Sequence, residues 1–200
     1  YVVPESRMEV IDLPKAGISS NWISCLTEDS KERMWVGTWG GGIAMIEDGK
    51  IRKFNAEDGL QASKISDIIE DVEGNILIAD EDNGLTIYKG DAFVTINEKE
   101  ILPDPNVNAI YQDKTGDLWF GTNAGITRYN RSTGKKPVFY NKSKSALYED
   151  ISFFREDRDG NLWIGTNNGG VILYNMKTSK FEVQQYINSK FPQSPAVTAM

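Results

Sequence analysis

The chain has 200 residues and a formal net charge of −7. Apolar residues make up 40% of it, which is the composition of a folded domain and not of a disordered segment. The acidic balance argues against a nucleic-acid partner and against direct membrane contact through anionic lipid, because both require clustered basic residues.

A similar segment occurs four times in chain order. Each copy runs from an aspartate through a turn to a large apolar anchor. The anchors, spaced by 42, 42 and 44 residues, are Trp35, Leu77, Trp119 and Trp163. An earlier apolar position repeats with the same steps, at Ile23, Ile65, Val107 and Ile151. Two independent positions that share one period indicate an internal repeat.

Each copy is expected to form four short strands. In the third copy these are 107–112, 118–122, 125–129 and 137–140, which are rich in β-branched and aromatic residues. No useful helical periodicity is present, and four strands in about 40–45 residues are typical of a β-propeller blade. The sequence therefore predicts an all-β fold, a β-propeller with four four-stranded blades and partial strands of two more.

The aspartate and the anchor have separate physical roles in this prediction. The aspartates, which end the first strand of each copy, are Asp29, Asp71, Asp113 and Asp157. Their carboxylates can accept hydrogen bonds from turn N–H groups. A glycine follows three residues later except in the first copy, where Glu32 predicts a different or strained turn. The tryptophan is expected to fill the gap between blades, and the glycine two residues later to leave room for it.

The repeat resembles the two-component regulator propeller repeat, whose pattern is D-x-x-G-x-L-W-I-G-T-x-x-G-G followed by an apolar residue. Residues 157–171 follow the pattern closely, and residues 113–126 lack one loop residue. The second copy lacks both the tryptophan and the Gly-Thr pair. The resemblance implies a sensor segment of a periplasmic receptor region in a hybrid two-component histidine kinase. It further implies signal transduction in response to oligosaccharides and a complete ring of seven blades.

The period also predicts the boundaries of the units. Residues 8–11 are expected to be the outer strand of a preceding blade, and 195–200 the start of a further inner strand. The expected units are 1–18 for the preceding strand and connector, 19–60, 61–101, 102–144 and 145–190 for the four blades, and 191–200 for the truncated blade. An open arc would expose apolar blade faces, so self-association is expected, as a homodimer or through the open edges.

The residue types argue against catalysis in this segment. The chain has no histidine, which removes Ser-His-Asp triads and nearly all zinc sites, and no metal or cofactor is expected. Asp157 begins a calcium-loop-like stretch, but the twelfth position holds Asn168 in place of the required glutamate. Glu81 and Asp82 are adjacent on one loop, whereas glycosidases need two carboxyl groups facing each other across the scissile bond.

Ligand contacts are expected where propeller loops surround the channel, an inference by fold analogy. The loops that follow the second strand and those that precede the inner strand meet there. The candidate ligand-binding residues are Trp22, Trp39, Glu81, Asp82, Asn123, Asn167 and Asn168. Amides, carboxylates and flat aromatic faces suit a neutral polyol.

Structural explanations for the same residues remain open. Trp39 could plug the space between blades, Trp22 could cap the channel, and the asparagines could serve turns. Two other functions also remain open, a protein-interaction scaffold and a carbohydrate-active enzyme.

Overall fold

The computed structural model describes residues 10–96, 101–141, 150–167 and 169–183. These residues form sixteen strands in four antiparallel sheets. The first blade contains β1 (Ile23–Glu28), β2 (Met34–Thr38), β3 (Ile43–Glu47) and β4 (Lys50–Phe54). The second contains β5 (Ile65–Glu70), β6 (Ile76–Asp80), β7 (Gly84–Tyr88) and β8 (Phe93–Ile96). The third contains β9 (Val107–Gln112), β10 (Leu118–Thr122), β11 (Gly125–Tyr129) and β12 (Val138–Tyr140). The fourth contains β13 (Ile151–Glu156), β14 (Leu162–Thr166), β15 (Gly170–Asn175) and β16 (Lys180–Val183).

Each sheet is a simple meander in which strands pair in sequence order. The inner strands of consecutive blades contact one another, β1 with β5, β5 with β9 and β9 with β13. Two short 3-10 helices, Ala56–Asp58 and Arg131–Thr133, are the helices of the described residues. The predicted all-β propeller with four four-stranded blades is confirmed.

The predicted partial strands fall largely outside the described residues. Of the expected strand at 8–11, residues 10 and 11 are described and belong to no strand. The expected strand at 195–200 lies outside the described residues. The number of blades in the complete ring stays a prediction.

The aspartate at the end of each inner strand organises the following hairpin. Asp113 Oδ1 accepts hydrogen bonds from the N–H groups of Thr115 at 2.9 Å and Asp117 at 3.0 Å. Its Oδ2 accepts one from Trp119 Nε1 at 2.9 Å. The same indole bond joins Asp29 to Trp35 at 2.7 Å, and Asp157 to Trp163 at 2.9 Å. The aspartate therefore fixes both the turn and the tryptophan six residues later, a link that the sequence analysis did not anticipate.

Glu32 adopts the conformation that glycine adopts in the other copies. Its φ is 61°, beside 80° for Gly74 and 84° for Gly116. The Glu32 N–H donates to the Asp29 carbonyl at 3.0 Å, just as the Gly74 N–H donates to the Asp71 carbonyl at 2.9 Å. The turn is thus the same in the first copy, and a non-glycine residue occupies it in a strained left-handed conformation.

Two of the three tryptophan anchors, Trp35 and Trp119, pack between described blades, as predicted. Trp35 of the first blade is fully buried, and its ring centroid lies 5.4 Å from that of Tyr88 in the second blade. Trp119 of the third blade is also fully buried, 4.9 Å from Tyr174 in the fourth blade. Aromatic pairs at these distances contribute about 0.5–1.5 kcal/mol beyond the area they bury.

The glycine after the anchor leaves room for close packing, but its nearest neighbours are inner-strand side chains and not the tryptophan. A Cβ on Gly37 would lie 2.4 Å from Cys25 Sγ and 2.6 Å from Ile65 Cγ2. A Cβ on Gly165 would lie 2.0 Å from the ring of Phe153. The glycine therefore makes room for side chains of its own inner strand and, at Gly37, for Ile65 on the inner strand of the next blade.

The interface between the second and third blades uses polar contacts in place of a tryptophan. Leu77 occupies the anchor position there, within an apolar cluster that contains one buried aromatic side chain, Phe120. Arg131 of the third blade donates to Oδ2 of Asp71, the atom that receives the indole N–H in the other copies. Asp67 Oδ2 accepts from the Ile110 N–H of the third blade at 2.8 Å. Two carboxylates of the second blade thus accept hydrogen bonds from the third blade.

We expect Asp113→Ala to lower the free energy of unfolding by about 2–4 kcal/mol, because the buried indole N–H and the turn amides lose their acceptor. Urea unfolding of the full chain measures this change. Trp119→Phe is the matched background, since it keeps an aromatic wedge but lacks the donor. In that background Asp113→Ala should lower the free energy of unfolding by less. An equal decrease in both backgrounds would contradict the hydrogen bond between Asp113 and Trp119.

Asp67 gives the protein a pH-dependent stability. Burial raises the pKa of Asp67 to about 6 from 3.8, although the N–H groups of Ile110 and Ile68 oppose the rise. The neighbouring titratable group is Cys25, whose pKa burial raises to about 12, so it stays neutral near pH 6. Because the folded protein holds the Asp67 proton more tightly, this stabilisation is complete below pH 3.8 and is lost as pH rises through about 6.

Asp67→Asn should remove this pH-dependent contribution to the free energy of unfolding, which is on the order of 3 kcal/mol. Urea unfolding of the wild type and the variant between about pH 4 and pH 7.5 would measure it. A wild-type chain and a variant that lose stability in parallel across this range would contradict the assignment to Asp67.

Candidate functional site

A cavity of about 500 Å³ opens at one end of the inner strands. Its walls come from the loops that follow the second strand of each blade and from the residues that begin each inner strand. It is lined by Trp22, Ser24, Trp39, Ile65, Ser66, Glu81, Asp82, Asn106, Asn108, Asn123, Asp150, Ser152 and Asn167. We call this cavity the channel mouth.

Backbone hydrogen bonds connect the residues around the channel mouth. Within blades, the N–H after the second strand donates to the carbonyl before the inner strand: Trp39 to Trp22 at 2.9 Å, Glu81 to Lys64 at 3.1 Å and Asn167 to Asp150 at 2.9 Å. Between blades, the bonds run from Gly40 to Ser63 at 2.7 Å and from Asp150 to Asn123 at 3.0 Å. The backbone itself therefore positions the side chains, whatever their type.

Two tryptophans form one wall of the channel mouth. The ring centroids of Trp22 and Trp39 lie 4.8 Å apart with an interplanar angle of 55°. Trp22 is 66% exposed and Trp39 is 38% exposed, so neither ring is a buried plug between blades. The pair presents apolar aromatic surface to solvent at the edge of a polar cavity.

Amide side chains of the third and fourth blades form a second wall of the cavity. Asn108 Nδ2 donates to Asn123 Oδ1 at 2.8 Å, and Asn167 Nδ2 donates to Asp150 Oδ1 at 2.8 Å. These bonds orient the amides while leaving each with further donor and acceptor capacity. This wall can therefore both donate to and accept from hydroxyl groups.

The second blade supplies an acidic loop between these walls. Asp80 is fully buried, and its carboxylate accepts from the N–H groups of Ser63, Lys64, Asp82 and Asn83 at 2.6–2.9 Å. The other copies have a threonine at this position. Asp80 thus fixes the loop that carries Glu81 and Asp82 into the channel mouth.

The two carboxylates on this loop have different environments. Asp82 Oδ2 forms an ion pair with Lys64 Nζ at 2.9 Å, and both side chains are about half exposed, 49% and 44%. Burial raises the pKa of Glu81; Lys64 opposes the rise, and the negative charges of Asp82 and Asp80 add to it. Lys64 also lies 5.9 Å from the ring centroid of Trp39.

The structure brings six of the seven predicted site residues together in the channel mouth, namely Trp22, Trp39, Glu81, Asp82, Asn123 and Asn167. Asn168 lies outside the described residues. Whether these residues bind a ligand stays a prediction.

Sequence reasoning missed a ring of small polar residues deeper in the cavity. These lining residues are Ser24, Ser66, Asn108 and Ser152. Each is the second residue of its inner strand, at a point where the pairing register shifts by a β-bulge. The signal was available, because a polar residue follows the inner apolar anchor in every copy at the repeat period. Bulges re-aim side chains in this way beside functional sites.

The described residues hold no group of three or more His, Cys, Asp or Glu side chains that could bind a metal ion. A search of the same part of the chain finds no helix with the length and apolarity needed to cross a membrane.

The fold and the channel mouth define an arc of β-propeller blades with a polar central site. The family model of the two component regulator propeller matches residues 17–40, 101–124 and 145–168. The chain therefore contains two-component regulator propeller repeats. The second copy, which lacks the tryptophan and the Gly-Thr pair, falls between the matched segments.

Individual relatives agree with this family. Over 155 residues the chain is 30% identical to histidine kinase P4 of Formosa agariphila, covering 68% of this chain and 11% of that protein. It is also similar to the extracellular domain of a protein assigned as a hybrid two component system in B. thetaiotaomicron. That likeness has a TM-score of 0.73 at 26% identity over 92% of this chain and 24% of the other. The chain thus spans a small part of each relative.

A propeller enzyme shares the fold at lower identity. Virginiamycin B lyase from Staphylococcus aureus matches with a TM-score of 0.62 and 20% identity, over 80% of this chain and 54% of the lyase chain. This likeness concerns the fold alone.

We expect Asp80→Ala to release the acidic loop, because four backbone N–H groups lose their acceptor. Amide hydrogen exchange at Lys64, Asp82 and Asn83 should accelerate about 10- to 100-fold. Asp80→Thr is the matched variant, since it supplies the hydroxyl present in the other copies and should keep more protection. Unchanged exchange in Asp80→Ala would show that the loop is held by other contacts.

Proposed function

We propose that this chain is a non-catalytic, ligand-binding sensor segment of an extracytoplasmic two-component receptor, and that it binds an oligosaccharide at the channel mouth. The observation that carries the proposal is that the exposed Trp22–Trp39 pair lines the same cavity of about 500 Å³ as the oriented amides of Asn123 and Asn167. Small-ligand sites have cavities of this size, with apolar surface and a few placed polar groups.

The chemistry of the walls supports a sugar. Aromatic faces suit the apolar C–H faces of a pyranose ring, and amides can donate to and accept from its hydroxyls. The asparagines at 123 and 167 are already oriented by their neighbours, which lowers the entropic cost of binding.

The relatives support the receptor context. The similar B. thetaiotaomicron domain is extracellular and assigned to a hybrid two component system, and the F. agariphila relative is a histidine kinase. By analogy we infer a periplasmic location and transmission of the binding signal to a kinase elsewhere in the full protein.

The geometry of the channel mouth supports catalysis less well than it supports binding. Glycoside hydrolysis requires two carboxyl groups on opposite sides of the scissile bond. Glu81 and Asp82 are consecutive on one loop, and Asp82 is paired with Lys64. The proposal therefore assigns binding to these residues and no catalytic step.

Calorimetry of the chain against a panel of neutral oligosaccharides tests the proposal. We expect Trp39→Ala to weaken binding about tenfold or more, corresponding to at least about 1.4 kcal/mol, because the ligand loses an aromatic face. Trp39→Phe, which keeps a smaller aromatic face, should retain more affinity. Equal affinities for the wild type and Trp39→Ala would remove this residue from the site.

A further inference from the structure

The charged residues of the channel mouth share one sign. Among its described lining residues the charged ones are Glu81, Asp82 and Asp150, and no lysine or arginine is present. The nearest cation, Lys64, is paired with Asp82. The field inside the cavity is therefore negative before any ligand enters.

Glu81 is the residue through which this field would act on a ligand. It is partly buried, whereas Asp82 is half exposed, and a charge that is less accessible to water is screened less. Within the described residues Glu81 forms no salt bridge; its side chain hydrogen-bonds to Trp39, and the charge of Lys64 acts on it as well as on Asp82. It also lines the cavity between the tryptophan wall and the amide wall.

The second blade departs from the repeat in a way that builds this charge. The positions of Glu81 and Asp80 carry asparagine and threonine in the third and fourth copies. Asp80, buried directly behind the loop, adds a second negative charge and raises the pKa of Glu81 together with burial and Asp82. A fold that needs only a hydroxyl at position 80 thus contains a carboxylate there.

We propose that the channel mouth selects ligands by charge, with Glu81 as the specificity-determining residue: it accepts neutral oligosaccharides and rejects those that carry carboxylate or sulfate groups. This inference rests on the proposed function. An anionic group placed among the described lining carboxylates would lose hydration beside like charges, and the neighbouring Lys64 is already paired with Asp82, which costs affinity.

The test uses neutral tetrasaccharides of glucan, mannan and galactan type, each beside its 6-carboxylated form. The members of a pair share every linkage and differ in charge. Binding to the wild-type chain should favour the neutral member at least about tenfold. In Glu81→Gln, which keeps the shape of the side chain, that preference should fall by about tenfold, mainly through tighter binding of the carboxylated member.

Glu47→Gln is the matched control, since it removes the same charge from an exposed position at the end of β3 that is remote from the channel mouth. It should leave the preference unchanged. Carboxylated members that bind as tightly as neutral ones, or a preference that Glu81→Gln does not alter, would overturn the inference alone. Failure of every tetrasaccharide to bind would overturn the proposed function and this inference with it.

Discussion

The hydrogen-bonded aspartate at the end of each inner strand is the contact on which the rest of the structure depends. One oxygen of the carboxylate closes the hairpin through two turn N–H groups, and the other holds the indole of the tryptophan in three of the four copies. Burial alone would raise the pKa of Asp29, but bonds from Arg33, Trp35 and the turn hold it at about 2. A carboxylate bound in this way stays ionised and accepts strong bonds across the ordinary pH range. Since Trp35 and Trp119 pack against the following blades, the same carboxylate also positions a side chain of the blade interface.

The second blade shows that this contact is adaptable. In the copy without a tryptophan, Oδ2 of Asp71 accepts from Asn75 of its own blade and from Arg131 of the next blade, so a charged contact links the two blades at this position. The replacement of threonine by Asp80 in the same blade likewise keeps the loop amides satisfied while adding charge. Both departures preserve the hydrogen bonding that the fold needs. Local departures from a repeat that keep the fold intact often mark functional sites, which agrees with the position of this blade at the channel mouth.

Sequence reasoning could predict the fold because its signals are local and periodic. The strands, the hairpin turns, the strained turn at Glu32 and the wedge role of the tryptophans all follow from residue types within one repeat. The neighbours of Gly37 could not be predicted in the same way, because Ile65 belongs to the next blade. The indole bond and the contact of Arg131 with Asp71 also depend on how the chain folds back in three dimensions. The register of the loops did place six predicted residues around one cavity, but the bulge residues beneath them need the strand pairing to be seen.

The channel mouth separates what holds the fold from what would contact a ligand. Its residues are joined by backbone hydrogen bonds, so the scaffold does not depend on whether the side chain at a given position is tryptophan, glutamate or asparagine. Equivalent positions carry Trp39, Glu81, Asn123 and Asn167. Because the stabilising contacts lie in the turns and between the blades, side chains at the channel mouth can change with little effect on stability. One repeated framework can therefore present an aromatic, an acidic and two amide side chains around a single cavity. A nearly symmetric backbone can in this way form a site for an asymmetric ligand, because its side chains differ from blade to blade.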